Sequence, residues 1–401
     1  MRLVIIGAGF AGIYAALSSA RLRDIQGIQP EEFEIALIAP EPTLVVRPRL
    51  YERRPETMTA PLLSVLRAVD VAYIQGYVDA IHTDSRAIEV RSAQGDRTLL
   101  AYDRLIVATG SALFRPKIPG FNNFAFSVDN LNDAIALDRH LHGLAEKPAS
   151  AARDTVVVAG GGFTGIEVAT EMVSRLHEIL GGGTKSRVVL VERGNAVAGD
   201  MGAGARPIVE CALRQLGIEV RLGAGVALLD GAVVTLSDGE RIDSETVIWA
   251  AGMRAAPLSA QIPAERDNCG RLLVDRDLRV PAVPEVFASG DAAKAAIDDL
   301  GNHTLMSCQH AIRMGAFAGN NAAAELLGVP TKPYHQRAYV TCLDLGEAGA
   351  LFTRGLERKV ELVGAEAKKT KREINTVWIY PPKADRAAAL ASADPERVVD
   401  L

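Results

Sequence analysis

Short β-branched apolar runs alternate with helical stretches along the first three-quarters of the chain. Residues 2–7 (R-L-V-I-I-G) read as a strand, and Ala11 to about Arg23 as the helix behind it. Glu34 to Ile38 forms the next strand and leads into a Pro-bearing loop ending at Arg47-Pro48-Arg49-Leu50-Tyr51. Val71 to Ile81 and Ala87 to Val90 read as further strands, and 102–110 as a strand running into a tight turn. Polar helical periodicity then covers about Asn130 to Leu144. The plan repeats from Thr155–Ala159, through a helix and Gly181-Gly182-Gly183, to the strand Arg187–Glu192. Later, 246–252 echoes 106–110, and Val286 to Asp291 is predicted to lead straight into a helix reaching about Leu327. Strands alternating with helices in this way predict an α/β fold with two doubly wound parallel sheets.

Both units open on a glycine-rich turn. The first reads I-I-G-A-G-F-A-G, with Gly7, Gly9 and Gly12, and the second V-A-G-G-G-F-T-G, with Gly160, Gly162 and Gly165. Each follows a strand and opens a helix, which is the setting where the spacing has a mechanical meaning. The first glycine permits the tight turn, the second lets backbone approach a pyrophosphate, and the third lets helix and strand pack closely. The diphosphate then faces unpaired N–H groups at the helix N-terminus. Two such turns suggest two dinucleotides, and hence a reaction between cofactors.

The acidic residue that ends the second strand of such a unit binds ribose hydroxyls. Glu192 ends 188–191 and would repel a 2′-phosphate, which favours NADH over NADPH, although Arg193 beside it offers a cation. In the first unit the equivalent position is Ala39, with Glu41 two residues on as a substitute from the loop.

Composition narrows the partners. With 44 basic and 49 acidic residues the net charge is −5, which gives no sign of nucleic-acid binding. A strand begins at the N-terminus, leaving no room for a secretory signal, and no run approaches a membrane span. A cytoplasmic protein is expected, with peripheral contact on the cytoplasmic membrane face as the alternative. Cys211, Cys269, Cys308 and Cys342 lack metal or disulfide spacing, and His140-x-His142 lacks companion ligands, so no metal is expected.

The motif order is glycine turn, A-T-G turn (Ala108-Thr109-Gly110), second glycine turn, A-A-G turn ending at Gly252, then S-G-D ending at Asp291. It resembles the two-dinucleotide flavoproteins of the pyridine nucleotide-disulfide oxidoreductase superfamily. The resemblance implies an FAD domain from residues 1–125 and 271–330, an inserted NADH domain over 126–270, and a C-terminal α+β segment over 331–401. It implies FAD contacts from Gly7, Gly9, Phe10, Ala11, Gly12, Glu41, Arg47 and Val78. Ala108, Thr109, Gly110, Gly290, Asp291, Cys308 and Gln309 complete that set. The NADH contacts would be Gly160, Gly162, Phe163, Thr164, Gly165, Glu192 and Gly252. Asp291 also reads as the N-cap of the helix after it.

Residues 41–70 contain no cysteine, which excludes a dithiol mechanism. Met306-Ser307-Cys308-Gln309-His310-Ala311-Ile312-Arg313 is similar to the A-Q-x-A-x-Q stretch of type II NADH dehydrogenases, with Cys308 for Ala and Arg313 for the second Gln. Phe163 to Glu167 and Arg47 to Tyr51 are also similar to that branch. The resemblance implies hydride transfer from NADH to FAD, then two electrons to a quinone, with Glu167 and Gln309 as catalytic residues; Arg313, a cation where the family has Gln, is expected to stabilise an anionic reduced flavin or quinol. It also implies a homodimer. Gln309 alternatively caps its helix, and Glu167 alternatively serves as a first-turn acid. Other readings are a ferredoxin- or rubredoxin-type reductase and a slow redox sensor.

In the tail, Val360, Val363, Ala367, Thr370, Ile374 and Val377 recur at helical spacing, opposite Lys368, Lys369, Lys371 and Arg372. A basic face beside Trp378 and Tyr380 suits an interfacial helix, but the apolar stripe is thin and Pro381-Pro382 stops it. Weak membrane attachment at most is expected, or packing of the stripe on the protein's own body.

Overall fold

The computed structural model describes residues 1–336 and 338–397, with the backbone alone for Asp200. Two five-stranded parallel sheets form its centre. The first runs in the order Val286–Ala288, Arg104–Val107, Arg2–Ile6, Glu34–Ala39, Ala72–Gln75. The second runs Ala125–Phe126, Thr246–Trp249, Thr155–Ala159, Arg187–Glu192, Glu219–Leu222. In each, the strand before the glycine turn lies in the middle. Leu3–Ile5 and Val156–Val158 are fully buried, as expected of central strands covered on both faces. The 286–288 strand joins the first sheet only after the chain has completed the second. Ser111–Leu113 pairs antiparallel with Met253–Ala255 where the chain leaves one sheet and returns.

Helices Phe10–Ile25 and Cys308–Leu327 pack together so tightly that side chains are excluded at the crossing. A Cβ at Gly315 would lie 2.2 Å from the Ala11 carbonyl oxygen, and one at Gly319 2.1 Å from that of Ala15. The Ser19 hydroxyl bridges the pair by donating to the Gly319 carbonyl at 2.9 Å.

Three sequence expectations change. The segment 71–81 is two strands, parallel Ala72–Gln75 and antiparallel Tyr77–His82, broken at Gly76, where a Cβ would meet Val90 at 2.7 Å. No helix follows Asp291 directly. Gly290–Ala292 is a single 3-10 turn, Ala293–Lys294 pairs with Leu272–Leu273, and the helix begins at Cys308. Its cap is Ser307, whose hydroxyl accepts the His310 N–H, so Asp291 is freed from the capping role.

The tail is the third. Lys359–Val363 is a strand paired with Ala350–Arg354, which also pairs with Val340–Asp344 to complete a C-terminal sheet. The helix starts only at Gly364, whose φ of +67° breaks the earlier period. Val363 and Val377 therefore face outward, 49% and 63% exposed, while Ala367 and Lys371 turn inward. The helix Arg386–Ser392 closes onto the first unit, burying Ala389 and Leu390 and pairing Arg386 with Asp24 and Asp70. The last four residues of the tail lie outside the described residues. No described helix is long and apolar enough to cross a membrane.

Gly315→Ala is expected to cost about 3 kcal/mol, because backbone rather than a movable side chain occupies the space. Denaturant unfolding of the variant beside the wild type measures it.

Candidate active site

Both glycine turns close in the same way. Gly7 and Gly160 have φ of +106° and +116°, a region closed to most L residues. A Cβ at Gly12 would sit 1.8 Å from the Gly7 carbonyl oxygen, and one at Gly165 1.8 Å from that of Gly160. At the middle glycines, Gly9 and Gly162, a Cβ would meet nothing within 4 Å. The backbone is tight where helix meets strand and open where a pyrophosphate would approach. Phe10 and Ala11, and Phe163 and Thr164, begin the two helices that face these openings.

Around the first turn the structure brings together Gly7, Ala11, Arg47, Ala108, Gly290 and Asp291. Gly290 places its α-carbon against Ala11 and Ala311, where a Cβ would stand 2.8 and 3.4 Å from theirs. The neighbouring Asp291 accepts the Ser111 hydroxyl at 2.6 Å and lies 3.9 Å from the Arg47 guanidinium. Burial raises its pKa, while Ser111 and Arg47 pull it back. Arg47 is itself paired with Asp129 and donates to the Ser111 carbonyl. Ala108 is buried beside Gly7, and the buried Thr109 hydroxyl has no hydrogen-bond partner among the described residues. An unpartnered hydroxyl on an A-T-G turn beside an open glycine cradle fits a polar ligand such as FAD. Gly110, with φ of +69°, turns the chain out of that strand. Glu41 is exposed beyond buried Ala39, and Val78 is half-buried on the antiparallel strand.

Cys308 and Gln309 open the long helix. Burial pushes the Cys308 thiol up to about 11, so it remains protonated at neutral pH. Gln309 is not a simple cap: its Oε1 accepts the Val340 N–H at 3.1 Å and ties the helix to the C-terminal sheet. Arg313 departs from expectation. Two residues on from Ala311, which faces Gly290, it projects about 200° around the helix. Its guanidinium donates instead to the His335 carbonyl at 2.8 Å and the Arg397 carbonyl at 3.3 Å.

In the second unit Glu192 ends its strand with its carboxylate held by the Gly161 and Gly194 N–H groups at 2.7 and 2.6 Å. The acidic group is thus fixed beside the turn, where ribose hydroxyls would lie. Gly252, exposed with φ of +78°, stands at the far end of the adjacent strand.

The strongest electrostatic feature surrounds Glu167, which is not a solvated first-turn acid. It is buried, accepts Lys371 Nζ at 2.7 Å, and also accepts the Asp344 N–H at 3.0 Å. Asp344 in turn accepts the Tyr51 hydroxyl at 3.1 Å and pairs with the partly exposed Lys368. Burial pushes Glu167 up to about 7, against the pull of Lys371 and the Asp344 N–H. The Lys371 ammonium also lies 5.7 Å from the centre of the Phe163 ring. Lys371, Asp344 and Tyr51 were not anticipated as site residues. Two lysines three residues apart on one helix, Lys368 and Lys371, are the available signal, read in the sequence as part of the basic face of an interfacial helix. Among the described residues no cluster could hold a metal ion.

A family model described as pyridine nucleotide-disulphide oxidoreductase matches residues 1–315. An NADH dehydrogenase-like protein of Mycobacterium tuberculosis is 44% identical over 98% of both chains. A demethylphylloquinone reductase of Synechocystis is 28% identical, covering 94% of this chain and 91% of the other. A type II NADH:quinone oxidoreductase of M. tuberculosis is 31% identical, covering 72% and 66%. Among solved structures, NDH2 from Plasmodium falciparum in complex with NADH superposes with a TM-score of 0.79 at 16% identity, covering 98% and 97%. The sulfide:quinone oxidoreductase of Aquifex aeolicus gives 0.78 at 18% identity, covering 97% and 92%.

The Glu167 carboxyl sets a pH dependence. The unfolded chain releases this proton in the ordinary carboxylate range, whereas the folded protein holds it up to about 7. In that window the folded state binds more protons, so this group's contribution to stability falls as pH rises. Glu167→Gln should flatten that slope. Lys371→Met should cost about 3 to 5 kcal/mol at about pH 8, where an unpaired carboxylate would be left buried, and less at about pH 5. Unfolding curves at the two pH values check both.

Proposed function

This chain belongs to the pyridine nucleotide-disulphide oxidoreductase family, and we propose that it is an FAD-dependent NADH dehydrogenase that delivers electrons to a quinone. The observation that carries the reading is the pair of glycine turns, each open at its middle glycine and each at the centre of its own parallel sheet. The resemblance to NADH dehydrogenase-like and quinone-reducing relatives supports the choice of donor and acceptor.

We assign FAD to residues 1–125 and 271–330, NADH to 126–270, and a covering role to 331–401. Bound FAD supplies the two-electron chemistry between NADH and the acceptor. The first glycine turn presents its N–H groups to the FAD pyrophosphate, and Asp291, oriented by Ser111 and Arg47, accepts from the sugar-alcohol chain. Thr109 and Gly290 line the same cradle. Glu192 holds the ribose hydroxyls of NADH, and Gly160–Gly165 its pyrophosphate. The reaction yields a quinol, which requires protons as well as electrons. Glu167, buried and poised near neutrality beside Lys371, holds a proton available at that end of the site. Lys371 takes the cationic role first expected of Arg313, since Arg313 is committed to His335 and Arg397.

The C-terminal segment in this reading is a clamp rather than a membrane-lying helix, because Lys368 and Lys371 reach inward and its last helix docks on the first unit. The full-length protein is expected to stay at the bottom of a gradient with anionic liposomes, and co-flotation would refute the clamp reading. The homodimer that the resemblance implies is checked by light scattering.

Anaerobic stopped-flow tests the reaction. NADH should bleach the bound flavin and a soluble quinone should restore it rapidly; bleaching without return would refute the quinone as acceptor. Glu192→Ala should weaken NADH binding about tenfold, roughly 1.4 kcal/mol, and narrow the preference over NADPH. Titration of each nucleotide against the flavin-loaded protein measures this.

A further inference from the structure

A second cluster, not used by the reaction as described above, stands where the C-terminal sheet meets the start of the long helix. Arg358 is 7% exposed and sits at φ of +57°, a conformation an L side chain rarely adopts. Its guanidinium carbon stands 4.9 Å from the centre of the Tyr339 ring, yet Nη1 is buried without a hydrogen-bond partner. No carboxylate pairs with it among the described side chains. The ring of His310, fully buried, stacks on the same tyrosine with centres 4.7 Å apart and planes 15° apart. His310 Nδ1 accepts the Leu305 N–H at 3.2 Å, so in the neutral ring Nε2 carries the proton. Burial holds the ring neutral, with its pKa lowered to about 4. That Nε2 is also without a partner. Ser307 and Arg358 both act electrostatically on the Tyr339 hydroxyl.

Two buried donors, one of them cationic, thus flank one aromatic ring and lack acceptors. Buried polar groups are ordinarily satisfied, and a buried charge is ordinarily paired. The missing group is an acceptor, and the cation asks for an anionic one. The position of the cluster says what could bring it. Tyr339 immediately precedes Val340, whose N–H is held by Gln309, and Ser307 caps the helix that begins with Cys308. The unsatisfied donors therefore adjoin the helix start whose Cys308 and Gln309 belong to the part assigned above to FAD, the group from which an acceptor must take its electrons.

We propose that Arg358 and His310, with Tyr339 between them, bind an anionic oxygen of the electron acceptor, so that the preferred acceptor is a quinone carrying an ionised hydroxyl or carboxylate. The inference rests on the quinone reading and deepens it. The geometry assigns Arg358 the charge recognition, His310 Nε2–H a supporting hydrogen bond, and Tyr339 the fixing of both. A non-glycine residue with positive φ and an unpaired buried cation is unfavourable for the free protein on both counts, and a ligand that pairs the charge offsets the second.

The test uses oxidised, flavin-loaded protein without NADH, titrated calorimetrically with lawsone, a hydroxynaphthoquinone that is an anion at neutral pH, and with menadione, a neutral counterpart. The wild type should bind lawsone about tenfold more tightly than menadione. Arg358→Met should erase that preference while leaving menadione binding within about twofold, and His310→Phe should weaken lawsone several-fold. Without ligand, Arg358→Met should melt at the same temperature as the wild type or higher, whereas a merely structural arginine would lower it. Equal binding of the two quinones by the wild type would overturn the proposal, as would a preference that survives in Arg358→Met. Inorganic phosphate that binds through Arg358 without displacing lawsone would overturn the assignment to the acceptor. Failure of either quinone to reoxidise NADH-reduced flavin would instead count against the quinone reading, which this binding measurement does not use.

Discussion

A carboxylate and an ammonium taken out of water together join the remote parts of this chain. Glu167 belongs to the helix behind the second glycine turn, Lys371 to the C-terminal helix, and Asp344, which donates its N–H to the same carboxylate, to the C-terminal sheet. Such a pair is a poor source of net stability, because desolvating two ions costs several kcal/mol that their attraction only partly returns. What it imposes is geometry. With Glu167 charged, the tail must sit where Lys371 reaches it, and the tail then covers the end of the site where the second cofactor turn begins. The same coupling lets the protonation of one carboxyl, close to neutrality, bear on chemistry and packing together.

The glycine contacts impose a second, purely steric constraint. Gly12 and Gly165 exist because the turn carbonyls of Gly7 and Gly160 already occupy the space a side chain would fill. Gly315 and Gly319 repeat the device on a larger scale, letting the long C-terminal helix lie directly on the backbone of the first. This brings Ala311 and Gly290 up to Ala11, so the cradle is assembled from chain segments about three hundred residues apart. Packing of backbone on backbone fixes the site where longer side chains would leave it adjustable.

These steric requirements explain what was legible in the sequence. The two parallel sheets follow from continuous apolar runs such as 156–158, and the turns from glycines whose spacing admits few other structures. Local signals failed where tertiary contacts decide. The helix expected after Asp291 is delayed to Ser307, since the Asp298 side chain closes the intervening loop through Leu300 and Asn302. Val360 and Val363 read as part of a helical stripe because periods of three and four tolerate thin evidence, yet pairing with 350–354 makes them strand. Lys371 reads in the sequence as part of the basic face of an interfacial helix. Its spacing from Lys368 marks a shared helix face, but does not point to the buried carboxylate 204 positions earlier that draws it inward.

Two buried cations in this molecule are treated in opposite ways, and the contrast bears on function. Lys371 is fully answered by Glu167 from within the chain, so its charge is internal to the fold and available to the proton held there. Arg358 is comparably buried but is answered only by the aromatic face of Tyr339, which softens the desolvation without neutralising it. An internally paired cation needs nothing from outside. An arginine left with an unpartnered nitrogen keeps its electrostatic preference for a visitor, and does so next to the helix whose start Gln309 ties to the same sheet. Selectivity for an acceptor would then come from the unpaired cation, and the proton from the Glu167 carboxyl that the paired cation answers. Both cations are carried by the C-terminal segment, beyond the two glycine turns that define the fold.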